Sequence, residues 1–371
     1  MNRSALRCAK TDLGSGKQAS FGATASTYGN SSGGSCAVYL NQPVNPINRR
    51  KNAFAAKHLE GEAYKFHLGS LPTARSSPIQ LGSRAKDRAQ QNKTKYAARM
   101  AEQDKLSVVE TIHAFLRSLG NSPLPLTEPR NYGCPESFSI LSHHTELSIS
   151  TFDKVITTVG DVISSIHESG GKSFGEFPVS PGPEAWVYDD LAVVWNGYVA
   201  RVDGNEIMRG VNIFSLHKCP DGWKISGLAD LQTANGEDPN VDSTIAEDVM
   251  APIVTFFKRL KGQDWEHILD DMLPGSGITC SSPASLPSTI SWESFRERLR
   301  ETVDSQAPGT VTEEKIHDVV IRRCGDLAFV WSLFVKEIDG VPSSNGANVF
   351  TLLRRDGLWV ISGYQKTEKP L

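Results

Sequence analysis

The chain has 371 residues, a length that is typical of two domains. Apolar residues make up 39 % and charged residues 22 %, the composition of a globular protein that is slightly poor in core residues. The net charge of −3 excludes the overall positive charge that is typical of nucleic-acid-binding proteins. However, residues 1–100 hold 16 Lys and Arg against 4 Asp and Glu, whereas residues 101–371 hold 23 against 38 and all seven tryptophans. A basic arm therefore precedes an acidic body.

The arm, residues 1–100, contains Gly/Ser-rich stretches and few apolar runs. Such a segment cannot bury enough apolar area to offset its chain entropy, so we expect disorder, with a helical lead into the body over 84–100. A basic arm can touch nucleic acid, anionic lipid or an acidic protein. A solvated tail or a wrongly predicted gene start explains it equally well, and we do not expect a nucleic-acid partner.

Targeting signals are scarce in the sequence. The longest apolar runs have about five residues, whereas a bilayer span needs roughly twenty, so we expect neither a transmembrane helix nor a membrane partner. The start lacks the apolar core of a secretory signal, and the six cysteines include no Cys-x-x-Cys pair. We therefore expect reduced thiols in a cytoplasmic protein. The Arg/Ser/Ala-rich residues 1–7 leave a mitochondrial presequence as the alternative.

An internal repeat organises the body. Asp190–Trp195 reads Asp-Leu-Ala-Val-Val-Trp and returns as Asp-Leu-Ala-Phe-Val-Trp at Asp326–Trp331, an offset of 136 residues. Further identities at this offset are Asp203-Gly204 with Asp339-Gly340, Gly210 with Gly346, Asn212 with Asn348, Phe214 with Phe350, Leu216 with Leu352, and Trp-x-Ile-Ser-Gly at Trp223 and Trp359. The repeat predicts one domain over 104–235 and a second over 244–371, joined by an acidic linker at 235–243.

Each predicted domain opens with helices and closes with strands. Apolar residues at helical spacing predict helices around 108–119, 152–166, 253–260 and 292–303, with Ser150 or Thr151 as the N-cap of the second. In the first domain, strands are predicted over 184–188, 191–202, 207–218 and 223–231. Asp-Gly pairs between these strands are strong hairpin signals. Helices followed by an antiparallel meander indicate an α+β fold.

The pattern Asp-Leu-Ala-Val-Val-Trp, Asp-Gly, Gly-Val-Asn-x-Phe and Asp-Gly-Trp-Lys-Ile resembles the nuclear transport factor 2-like superfamily, in particular its SnoaL-like or ketosteroid-isomerase-like members. The resemblance implies two tandem cone-shaped domains, each with N-terminal helices packed in a curved antiparallel sheet. It also implies a pocket at the open end of the cone that takes a small apolar ligand. Because the other sheet face of such domains often pairs with a second copy, the two copies are expected to form an intramolecular pseudo-dimer.

Enzymes of this superfamily use a few acidic, His or Tyr side chains in an apolar pocket, where burial shifts their pKa. The catalytic candidates in this sequence are His113, His143, His144 and Asp230. Each histidine also has a plain interpretation, with His113 as a hydrogen-bonded residue at the edge of the core and the other two solvated in a loop.

Candidates for the pocket wall are Trp195, Tyr198, Asn212, Trp331 and Asn348. The tryptophans recur in both copies and are equally compatible with the core. The asparagines either face the cavity as donors or satisfy backbone groups in the sheet.

Three polar residues of the first copy are lost in the second, where Leu353, Phe334 and Lys366 replace His217, Tyr198 and Asp230. The loss favours ligand chemistry in the first copy, although neutral drift explains it too. Neither a metal nor a cofactor motif is present, since Gly14-Ser-Gly-Lys17 lacks the rest of a phosphate loop.

The sequence thus leaves two function classes. The first is a small-molecule-binding or dimerisation module. The second is a cofactor-free isomerase, dehydratase or cyclase that works through the first domain's pocket.

Overall fold

The computed structural model describes residues 82–121, 123–143, 146–233, 238–244, 246–282 and 285–371. Up to residue 81, the arm that is predicted to be disordered lies outside these residues. Residues 84–100 belong to helix α1 (Gly82–Asn121), in keeping with the helical lead that the sequence predicts. Residues from Ala89 to Leu371 fall in one compact unit.

The first half of this unit contains one six-stranded sheet with the strand order β2-β1-β6-β5-β4-β3. All neighbours are antiparallel except β1 and β6. After α1 and a short 3₁₀ helix (Pro129–Tyr132), the elements are β1 (Phe138–His143), β2 (Glu146–Thr151), α2 (Phe152–Glu168), β3 (Phe174–Tyr188), β4 (Leu191–Val202), β5 (Asn205–Cys219) and β6 (Gly222–Gln232).

The second half contains a seven-stranded sheet with the order β7-β10-β11-β12-β13-β8-β9, which is the order of the first sheet plus β7. Its elements are β7 (Val241–Asp242), α3 (Glu247–Lys261), β8 (Gly277–Ser282), β9 (Ser285–Ser291), α4 (Trp292–Asp304), β10 (Thr312–Cys324), β11 (Leu327–Ile338), β12 (Val341–Arg355) and β13 (Leu358–Pro370). Within the stretch 235–243 that the sequence predicts as a linker, β7 pairs with the end of β10 at the sheet edge. The α+β fold class is confirmed.

The hairpin turns follow from their sequences. Asp203 and Gly204 between β4 and β5 have φ of 50° and 79°, and Asp339 and Gly340 between β11 and β12 have 52° and 77°. Two consecutive residues with positive φ match the right-handed twist of the flanking strands, and Asp-Gly adopts this conformation most readily. The hairpins predicted at these two Asp-Gly pairs are therefore confirmed, whereas between β5 and β6 Gly222 already pairs with Cys219 and the turn is formed by Pro220 and Asp221.

Helices cover one face of each sheet. Two alternate residues of β4, Ala192 and Val194, pack against apolar residues of α1 and α2. Thr151 caps α2 by accepting a hydrogen bond from the backbone amide of Lys154, as predicted. In the second half, α3 and α4 cover the sheet in the same way. None of the described helices is both long enough and apolar enough to cross a bilayer.

The opposite faces of the two sheets share one apolar cluster. The ring of Phe329 lies 5.2 Å from that of Trp186 and 5.7 Å from that of Trp195, measured between centroids. At the edge of the cluster, the Arg322 guanidinium binds the Glu184 carboxylate at 2.6 Å. The two halves thus contact each other through the sheet faces that carry no helices.

Candidate functional site

An open cleft of about 520 Å³ lies between the C-terminal part of α1 and strand β3. Its wall is mostly apolar, and its polar side chains include His113 and Glu176. The lining also includes Leu116, Phe174, Phe177 and Pro183. A concave, largely apolar surface with a few polar groups is the usual form of a small-molecule site.

The cleft opens where β3 departs from its partner strand. Val179 pairs with Gly197 and Glu184 with Trp195, so residues 180–183 bulge out opposite a single residue of β4. This segment reads Ser-Pro-Gly-Pro, and proline cannot donate a ladder hydrogen bond. Because β3 is the edge strand of its sheet, the bulge interrupts no further pairing.

Four side chains meet on the helix-facing side of the sheet beside this bulge. The Asn212 amide donates a hydrogen bond of 2.5 Å to a carboxylate oxygen of Glu176. Asn212 also lies opposite Asp230 in the pairing of β5 with β6. The Tyr198 hydroxyl donates a hydrogen bond to the Asp230 carboxylate. Together these residues link strands β3, β4, β5 and β6 into one polar site, and its Glu176 side chain also lines the cleft.

The two carboxyl groups of this site hold protons far more readily than ordinary carboxyls. Burial raises the pKa of Glu176 to about 7, although the hydrogen bond from Asn212 lowers it in part. Burial and the negative charge of Glu176 raise the pKa of Asp230 to about 8, against the lowering effect of Tyr198. No Lys or Arg forms an ion pair with either group among the described residues. Near neutral pH the pair therefore shares at least one proton.

Glycine is required where the Tyr198 ring crosses strand β5. A Cβ atom on Gly210 would lie 2.7 Å from that ring and 2.2 Å from the Leu231 carbonyl oxygen. Gly346 is in the same position beneath the ring of Phe334, at 2.5 Å. The repeated glycine of the sequence motif thus makes room for an aromatic side chain.

The second half carries a counterpart of this site with a different charge balance. Glu176 lies opposite Ala200 and Glu314 opposite Lys336, two partner positions that are 136 residues apart. Asn348 donates to Glu314 at 2.7 Å, as Asn212 does to Glu176.

Lysine occupies the place of the second carboxyl in this counterpart. The Lys366 ammonium replaces Asp230 and binds Glu314 at 2.5 Å and Glu368 at 3.2 Å. In the second half, the Glu314 carboxylate is therefore neutralised by a lysine of the same chain.

The structure brings together three of the residues that the sequence singled out, namely Tyr198, Asn212 and Asp230. His113 lines the cleft. For His143 the structure describes only the backbone, at the end of β1, and His144 lies outside the described residues.

Three further candidates lie elsewhere. Trp195 and Trp331 lie in the cluster between the sheets, because strand alternation directs both of them there. Asn348 belongs to the ion-paired counterpart in the second half.

Sequence reasoning missed Glu176, which lies in the site. The reason is a difference in bulge length, since four residues of β3 are unpaired at the bulge and only two of β10. Before the bulge the offset between the two halves is therefore 138 residues instead of 136. A two-residue gap in the self-comparison would have aligned Glu176 with Glu314.

Solved structures with low sequence identity are similar to about a third of this chain. No protein-family profile and no curated protein matches the chain. Solved structures that match include a protein of unknown function with a cystatin-like fold from Nostoc punctiforme, at 16 % identity and a TM-score of 0.28, over 33 % of this chain and 90 % of that one. A nuclear transport factor 2-like protein of unknown function from Shewanella baltica matches at 9 % identity and a TM-score of 0.27, over 36 % and 96 %. A candidate dehydratase of the nuclear transport factor 2-like family from Streptomyces avermitilis matches at 13 % and 0.27, over 34 % and 95 %.

Proposed function

We propose that the two halves are tandem nuclear transport factor 2-like domains that pair within one chain. Three observations support this pairing: the sequence repeat, the shared strand order and the apolar cluster between the sheets. Each domain then buries the open sheet face of the other. In this arrangement, the second domain serves as the structural partner of the first.

We further propose that the first domain binds a small molecule in the cleft at Glu176. The observation that carries this proposal is the contrast between the two polar sites. In the second domain, Lys366 neutralises Glu314, and the site is complete without a ligand. In the first domain, Glu176 and Asp230 lack such a cation among the described residues, and Glu176 lines an open cleft. A binding site keeps polar groups available in this way at a cost in stability.

A library of small metabolites, screened against the full chain by ligand-observed NMR, tests this proposal. Asp230→Lys introduces the ion pair of the second domain and should abolish binding of cleft ligands. Asp304→Lys makes the same change of charge at an exposed helix end and should leave binding intact. The proposal is contradicted if no compound binds, or if the binders are insensitive to Asp230→Lys.

Proton transfer on the bound molecule is a second candidate function, favoured by the pair of carboxyls with raised pKa. A carboxyl that titrates near neutral pH can act both as general acid and as general base. Such a site suits an isomerase, dehydratase or cyclase that needs no cofactor.

Exchange of a ligand's carbon-bound hydrogen in deuterated water distinguishes a catalyst from a binding module. If the site transfers protons, the wild type exchanges this hydrogen, and Glu176→Gln stops the exchange while binding persists. If no bound ligand exchanges hydrogen or is converted, the site is a binding module.

A further inference from the structure

We infer that the ligand of the first-half cleft carries a single protonated amine, whose ammonium group lies between Glu176 and Asp230. This inference rests on the proposed function, because it names the chemical class of the ligand for that same cleft. In this arrangement, the ammonium group of the ligand takes the place that the Lys366 ammonium occupies in the second half.

The second half provides the precedent for such a cation. The Lys366 ammonium is held by Glu314 and Glu368 and lies 4.4 Å from the centroid of the Phe334 ring. The first half keeps the glutamate, as Glu176, and keeps an aromatic ring in place of Phe334, as Tyr198. It lacks the lysine, because Asp230, a residue of opposite charge, stands at the position of Lys366. Its site therefore has the acceptors for an ammonium group but no ammonium group of its own.

A fully buried carboxamide next to this site supports the inference independently. Asn196 lies opposite Asn212 in the pairing of β4 with β5, and strand alternation places it on the same face as Tyr198. Its side chain is 0 % exposed, and neither its oxygen nor its nitrogen has a hydrogen-bond partner among the described residues. Buried polar groups without partners are rare in native proteins and call for a specific explanation.

The number of acceptors matches the number of ammonium donors. An ammonium group has three N–H donors and no acceptor. Glu176, Asp230 and the carboxamide oxygen of Asn196 offer three acceptors from three different strands, β3, β6 and β4. A neutral hydroxyl has only one hydrogen to donate and no charge, so it contacts one of these acceptors and does not neutralise the two carboxylates.

The cleft wall limits the rest of the ligand. Leu116, Phe174 and Phe177 suit a hydrocarbon or aromatic body. Arg117 also lines the cleft and disfavours a second positive charge on the ligand. An apolar monoamine therefore fits the cleft better than a polyamine.

n-Butylammonium, which has the shape and charge of the lysine side chain, is the probe for this inference. It is titrated into the full chain at fixed ionic strength by calorimetry, beside its neutral analogue n-butanol. We expect butylammonium to bind the wild type at least about tenfold more tightly than butanol does, as expected when binding needs a paired charge. Asp230→Lys should abolish this binding, and Asp304→Lys should leave it unchanged.

The pH profile separates site binding from surface binding. The ammonium group competes with the proton shared by Glu176 and Asp230, so its affinity should rise between about pH 6 and about pH 9. Among the described residues, the titratable or charged side chains around this pair are Tyr198, which contacts Asp230, and His113 and Arg117 of α1, which line the cleft together with Glu176. Binding near neutral pH should also release a proton, which calorimetry detects as a dependence on the buffer.

The outcomes distinguish this inference from the proposed function. If library compounds bind in an Asp230-dependent way but butylammonium binds no better than butanol, the cleft is a ligand site and the inference of an amine ligand is wrong. Equal binding of butylammonium to the wild type and to Asp230→Lys also overturns the inference. If Asp230→Lys does not fold, Asp230→Asn replaces it, since it keeps the shape of the side chain, cannot ionise to pair with an ammonium group and should also weaken binding.

Discussion

Replacement of Asp230 by Asn should stabilise the protein at alkaline pH, unlike most substitutions of buried polar residues. The reason is the raised pKa of the Asp230 carboxyl, which burial and the charge of Glu176 move from 3.8 to about 8 in the folded state. In the unfolded chain the same carboxyl loses its proton near pH 4. Between these values the folded state holds a proton that the unfolded chain has released, so the free energy of unfolding falls as pH rises.

The expected magnitude follows from the size of the pKa shift. A shift of about 4 units corresponds to about 5 kcal/mol, since one unit is worth about 1.4 kcal/mol. Because water that enters the site solvates the ionised carboxylate, we expect about 2 kcal/mol in the measurement. Asn has no proton to lose and can still accept the hydrogen bond from Tyr198. The difference between Asp230→Asn and the wild type should therefore be near zero at about pH 4 and grow to about 2 kcal/mol at about pH 8.5.

Urea unfolding followed by tryptophan fluorescence measures this difference, since all seven tryptophans lie after residue 100. The matched control is Asp304→Asn, because Asp304 is exposed at the end of α4 and should show no such growth with pH. If Asp230→Asn loses the same free energy at both pH values, Asp230 is an ordinary ionised structural carboxylate. This result would refute the claim that Asp230 and Glu176 share a proton.

Three further substitutions test the fold, both around the site and between the two sheets. His217 is buried, and burial lowers its pKa to about 4, so the free energy of unfolding falls as pH falls from about 6.5 towards 4. The equivalent residue of the second half is Leu353, and His217→Leu should reduce this loss by about 2 kcal/mol in acid unfolding experiments. Gly210→Ala forces a Cβ atom against Tyr198, so it should lower the free energy of unfolding in urea by about 1–3 kcal/mol and weaken ligand binding. Unchanged binding would exclude Tyr198 from the site. Phe329→Ala should lower the free energy of unfolding by about 3–5 kcal/mol, because it leaves a cavity between the two sheets, and a loss below about 1 kcal/mol would contradict tight packing there.

The sequence predicts much of the fold because its signals are local. Asp-Gly at 203–204 and 339–340 needs two positive φ values, which only a few turn types provide. The repeat then transfers each prediction from one half to the other. The short strand Val241–Asp242 escaped prediction, because a two-residue pairing at a sheet edge leaves no periodicity.

The site was only partly predictable, because its residues converge from four strands. Tyr198, Asn212 and Asp230 stand out as polar residues within otherwise apolar strands. Glu176 does not, since the bulge after it hides its relation to Glu314. Alternation assigns Trp195 to the opposite face from Tyr198, but the sequence alone does not say which face meets the helices and which the other sheet.

The most direct test of a ligand site in the first half alone is methyl NMR of the full chain with a compound from the screen. Leu116 and Val179 line the cleft, whereas Ile278 lies in the apolar core of the second half. Binding at Glu176 should give ligand contacts and shift changes at Leu116 and Val179 and none at Ile278. Contacts at Ile278, or changes of equal size in both halves, would contradict a single open site beside an ion-paired counterpart.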